Sequence, residues 1–176
     1  MSKLPTARLI ALRDELHHRG QRRSMIFPSA APNVVEAVAV AEEYGALCEA
    51  MFLVMAVEKR MLNSQRELLR GALDVLSSGR VRTSHMEAML DHASKRLVED
   101  GMELCCQRII AALRDDPVRA ETTLVLAGAI AAADGKISDS EQELLDRFVD
   151  GLGVGQDRLS EILRELTAAT NAAAKS

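Results

Sequence analysis

Tryptophan is absent from this 176-residue chain, and its aromatic residues amount to one Tyr and three Phe. A core without large rings must be built from Leu, Val, Ile, Ala and the eight Met, a mixture that suits helix packing better than sheets. Period-two alternation of apolar and polar residues is missing too, so no strand competes with the helical pattern. No hydrophobic run approaches bilayer length. The longest, "AMFLVMAV" from Ala50 to Val57, falls far short of the ~20 residues a membrane span needs, so the chain is not itself transmembrane. The opening "MSKLPTARLIALRDELHH" scatters charges through its apolar positions, unlike a signal peptide. A cytoplasmic location is therefore expected.

Disulfide pairs are not expected either. Three Cys, an odd number with Cys105 and Cys106 adjacent, fit a reducing compartment. Cys106, Ile109, Ile110 and Leu113 follow the i, i+3, i+4, i+7 spacing of a buried helix face, which reads these thiols as core. A surplus of basic charge is lacking: the formal net charge of -4 argues against nucleic acid as a partner. The one basic cluster, "HHRGQRR", places Arg19, Arg22 and Arg23 after His17 and His18 at the end of a first helix, where cations suit the helix dipole.

What the chain does hold is helical periodicity with punctuation. Leu9, Leu12 and Leu16 mark a first helix that Gly20 ends, followed by the proline-containing loop "SMIFPSAAPN". Asn33 with Glu36 opens a long apolar helix toward Arg60, with a candidate break at Tyr44 and Gly45. Asn63 caps a helix to about Leu76, and Ser84 with Glu87 caps another that stops at Gly101. A further helix reaches Arg114, and Asp116 with Pro117 starts the next. Leu144 to Leu152 and Leu159 to Leu166 mark the last two. The expected fold is all-α, a compact bundle of about seven to eight helices. Its organisation reads as an N-terminal helix and loop (1–32), a helical domain (33–166) and a frayed tail (167–176).

Two helix-turn-helix units are discernible within the domain as a degenerate repeat. Residues 53–76 laid over 129–152 give seven identities in 24 columns, among them Glu67/Glu143, Leu68/Leu144 and Asp74/Asp150. The alignment sets "AVEKRMLNSQRELL" against "AADGKISDSEQELL". Glu58 faces Asp134, Lys59 faces Gly135 and Gln65 faces Glu141.

The second copy carries the chemistry of interest. Asp134, Gly135 and Glu141 fall on positions 5, 6 and 12 of a calcium EF-hand loop, but Ile130 and Ala132 occupy positions that must supply oxygen, so an EF-hand is excluded. Without metal, Gly135 ends one helix in the left-handed conformation, and Ser138 with Glu141 forms a capping box for the next. An acid at the negative end of a helix still gains nothing from the dipole, and a cation would relieve that cost.

The stretch "LAGAIAAADGKISDSEQELLDRFVDGLGVGQDRLSEIL", Leu126 to Leu163, resembles the TerB-like family of bacterial tellurite-resistance and stress-response proteins. A similar module occurs in a membrane-tethered DnaJ-type co-chaperone. The resemblance implies an all-helical bundle with two helix-turn-helix units and a divalent cation, calcium or another, bound through acidic residues. Here these are Asp134 and Glu141, with Gly135 forming the turn and Glu58 and Gln65 as the degenerate first-repeat counterparts. It also implies protein partners, membrane-associated ones among them, and a place peripheral to the inner membrane. The function so implied is a non-enzymatic stress-associated module that mediates protein–protein contacts. The alternative is a metal-free scaffold, an adaptor or a homo-oligomer.

Catalytic residues are not expected. His85 and His92 lie seven apart on one helix without a third ligand or a base–nucleophile pair. "GLGVG", Gly151 to Gly155, follows a helix where a dinucleotide fingerprint must follow a strand.

Overall fold

A computed structural model describes residues 7–11, 13–14, 32–58 and 62–174. Every regular element among them is helical: α1 (residues 7–11 and 13–14), α2 (Pro32–Val57), α3 (Asn63–Ser77), α4 (Thr83–Leu113), α5 (Pro117–Ala131), α6 (Asp139–Leu152) and α7 (Gln156–Ala174). A 3-10 turn, Ala132–Asp134, extends α5. No described helix is long and apolar enough to cross a membrane. The "HHRGQRR" cluster, most of the proline-containing loop, Gly20, Lys59 and Arg60 lie outside the described residues.

Capping chemistry explains most of the boundaries. Asp116 Oδ1 accepts from the amides of Val118 and Arg119 at 3.0 and 3.2 Å, and Pro117 occupies the first turn, where its missing donor costs nothing. Ser138 caps α6, and Gly153, left-handed at φ 69°, stops it. Two expected caps are displaced. Asn63 and Ser84 lie inside the first turns of α3 and α4, and the cap positions belong to Leu62 and Arg82. Gln65 Oε1 and His85 Nδ1 accept from the Leu62 and Arg82 amides at 3.1 and 3.4 Å, so a residue at the third helical position does the work expected of the cap side chain. The candidate break at Tyr44 and Gly45 does not occur. Tyr44 is buried there, its hydroxyl donates to the Leu76 carbonyl, and packing holds α2 straight through the glycine. α7 runs to Ala174 through a stretch rich in Ala, the strongest helix former, beyond the last large apolar residue of the sequence, Leu166.

The core gathers around α5, buried along nearly its whole length from Val118 to Ala131. A helix apolar on all sides beyond its first turns must be surrounded there, and α2, α3, α4, α6 and α7 all pack against it. Its two buried polar residues are satisfied locally: Thr122 and Thr123 donate to the carbonyls of Val118 and Arg119 at 2.6 and 2.7 Å. α2 adds a second apolar rod, with Ala50 to Met55 all buried against α4, α5 and α6. Cys48, Cys105 and Cys106 are free and buried, as the helix-face spacing predicts for Cys106, and burial pushes the Cys48 thiol up to about 12.

The repeat survives as geometry. α3 and α6 begin at Asn63 and Asp139, which are the same column of the alignment. In both units an amide one residue upstream is received by the side chain at the third helical position: Leu62 N by Gln65 and Ser138 N by Glu141, at 3.1 and 3.0 Å.

Candidate functional site

The second turn is built as its letters require. Gly135 has φ 90° and ψ 1°, and its amide donates to the Ala132 carbonyl at 3.0 Å, closing α5. Asp134 Oδ1 accepts from the Lys136 amide at 3.1 Å, folding the acid back over the turn. Ile137 is half-buried and packs onto the core. Ser138 and Glu141 then complete a reciprocal box: Glu141 N donates to Ser138 Oγ at 3.2 Å and Ser138 N donates to Glu141 Oε2 at 3.0 Å.

Ser138 does more than cap. Its hydroxyl also donates to Glu58 Oε1, 80 residues earlier, at the end of α2. One oxygen thus joins the first turn to the second. Gln65 crosses the same boundary from the other side, its Nε2 donating to the Ile130 carbonyl of α5 at 3.4 Å. Between the two turns lies a cleft of about 500 Å³ lined by Glu58, Leu62, Gln65, Asp134, Lys136, Ile137, Ser138, Asp139 and Glu141.

Electrostatics mark Glu141 as the costly member. It is 4% exposed, and burial raises its carboxyl above the usual range. The amide and hydroxyl of Ser138 pull it back, while the negative charges of Asp134 and Glu58 push it further up. Glu141 therefore senses an acid from each turn. Gln65, in the matching position, makes the same cap without a charge and is equally buried.

The structure thus sets Asp134 and Glu141, with Gly135 at the bend, along one cleft, and brings both counterparts, Glu58 and Gln65, to the same cleft from the first repeat. Each carboxylate already has one oxygen in a hydrogen bond. Among the described residues no group of three or more His, Cys, Asp or Glu is gathered closely enough to hold a metal ion. A cation here would be held by the remaining oxygens and complete its shell with water, which suits a hard ion such as calcium or magnesium rather than zinc. The bridging role of Ser138 was not legible beforehand, since a capping serine carries no sign of a second partner on a distant helix. His85 and His92 lie on the first half of α4, half-buried and exposed, with His85 serving the Arg82 amide. No protein-family model, curated protein or solved structure matches the chain.

Proposed function

We propose that this chain is a non-enzymatic, TerB-like helical module that mediates protein–protein contacts, with a hydrated divalent cation held between its two turns. The observation that carries the reading is the meeting of Glu58, Asp134 and Glu141 on one cleft formed by both repeat units. Two negative charges acting on the buried Glu141 carboxylate are an unfavourable arrangement that a positive charge relieves. Because Glu58 comes from one unit and Asp134 and Glu141 from the other, the same ion ties the units together and stabilises the surface they present jointly. The stress association, and a partner at the inner membrane, follow from the family resemblance of residues 126–163.

Thermal melts test the reading. Calcium or magnesium at ten times the dissociation constant should stabilise the wild type by about 1.4 kcal/mol and leave Asp134→Asn unmoved. A wild type indifferent to both ions up to millimolar concentrations would defeat it.

One observation favours a second reading, a metal-free adaptor. The capping box gives Ser138 and Glu141 a full structural role, and among the described residues no compact ligand set accompanies them. The acid–glycine turn is then a structural joint, and the same melts separate the two readings.

A further inference from the structure

α4 turns a corner that its sequence would otherwise run straight through. The flanking stretches "KRLVED" and "MELCCQR" are rich in helix formers, and Gly101 alone interrupts them, at φ 80° and ψ 168°. Only glycine takes that backbone conformation without strain.

Charge locks the corner. Glu49 of α2, 6% exposed, receives Arg96 Nη1 on one oxygen and Arg108 Nη2 on the other, each at 2.9 Å. Arg108 also donates to Asp100 Oδ2 at 2.7 Å. In an unbroken helix Asp100 and Arg108 would stand about 12 Å apart along the axis, and Arg96 and Arg108 about 18 Å. This cluster therefore requires the bend.

The corner also divides the molecule. Before it, Arg82 pairs with Glu36 of α2 and Glu87 with Arg66 of α3. Beyond it, Glu103 pairs with Arg147 of α6, and Ile110 packs against Gly151 of α6 so closely that an added Cβ would come within 2.3 Å. Opening at Gly101 within a single molecule would expose to water the surfaces that α2 and α5 bury against each other, and a second copy offers the same surfaces in return. Among the described residues, the large apolar side chains left most exposed, Val98 at 84% and Leu104 at 54%, lie three residues to either side of the hinge. They sit where two hinges would meet in a reciprocal pair.

We propose that Gly101 is the hinge of a domain exchange between two copies of this chain. In the exchanged dimer each α4 straightens, and the α5–α7 portion of one copy packs against the α2–α3 portion of the other. Internal contacts re-form between copies, the Asp100–Arg108 pair is lost, and Glu49 of one copy meets Arg108 of the other.

Light scattering after size exclusion tests this directly. Gly101→Ala, which disfavours the corner and favours the straight helix, should double the mass from 19.2 kDa with an unchanged helical spectrum. Its dimer should persist for hours after dilution, because return to monomer requires unfolding. Asp100→Asn, which weakens the one pair that the exchange breaks, should raise the dimer fraction several-fold over wild type when both are refolded at the same high concentration. A folded, monomeric Gly101→Ala, or a dimer that dissociates within minutes of dilution, overturns the proposal. If Gly101→Ala does not fold, wild type refolded at millimolar concentration decides: a long-lived dimer supports the exchange, and monomer alone overturns it.

Discussion

Replacing Ser138 by Ala removes the one hydroxyl that serves both turns. Two contacts disappear. Glu141 N loses its acceptor at 3.2 Å, and Glu58 Oε1 loses its donor. The reverse half of the box survives, because the Ser138 amide still donates to Glu141 Oε2 at 3.0 Å. Ser138→Ala thus turns the second unit into a copy of the first, where Leu62 offers no side-chain acceptor and Gln65 alone caps. That limits the cost to one cap, about 1 kcal/mol, with little added by Glu58, which is exposed and can be rehydrated. For a domain of this size the melting temperature should fall by roughly 2–4 °C. Thermal and urea denaturation followed by circular dichroism measure it. A double-mutant cycle with Glu58→Ala adds a sharper test, since that change removes the acceptor and the two effects should be non-additive if Ser138 bridges the turns. An unchanged midpoint for Ser138→Ala, or strictly additive effects in the cycle, would refute the reasoning.

Further expectations concern the same joint and the packing behind it. Glu141→Gln should stabilise the fold at neutral pH, because Gln65 shows that an amide makes this cap without burying a charge. Glu141's carboxyl is raised in the folded state, so its ionisation costs stability above that raised value. The cost is relieved as pH falls through it toward the ordinary carboxylate range. The advantage of Glu141→Gln in urea melts should shrink in parallel, and an advantage independent of pH would contradict the burial argument. Gly135→Ala should cost about 1 kcal/mol through backbone strain alone, since φ is 90° and nothing lies within 4 Å of an added Cβ. Gly151→Ala should cost more, about 1–3 kcal/mol, because its methyl group would overlap Ile110. The companion change Ile110→Ala should recover part of that loss in the same melts.

Much of the architecture was readable where short-range chemistry decides it. Asp116–Pro117, Gly135, Ser138 with Glu141, and the stop at Gly101 each solve a local backbone problem with residues adjacent in sequence, and each was placed correctly. The caps of α3 and α4 were misplaced because Asn63 and Ser84 look like better caps than Leu62 and Arg82. Gln65 and His85 supply the acceptors from within the helix instead. The uninterrupted course of α2 through Gly45 also escaped prediction: a glycine's helix penalty is small beside the burial of Tyr44, Leu47 and Cys48 around it. Long-range pairings left no local trace. Glu49 stands in the apolar run "LCEAMF", and the arginines that hold it lie 47 and 59 residues away. The weak repeat was the exception, because a constant offset of 76 residues placed Glu58 and Gln65 opposite Asp134 and Glu141. The fold brings all four to one cleft.

The most direct test of a cation between the turns is an amide NMR titration with manganese, whose paramagnetism broadens only nearby resonances, compared with calcium and magnesium. The account predicts broadening confined to the neighbourhood of Glu58, to Leu62 and Gln65, and to residues 134–141, with calcium shifting the same set. Broadening scattered over the acidic surface, or none in the two turns, would contradict it.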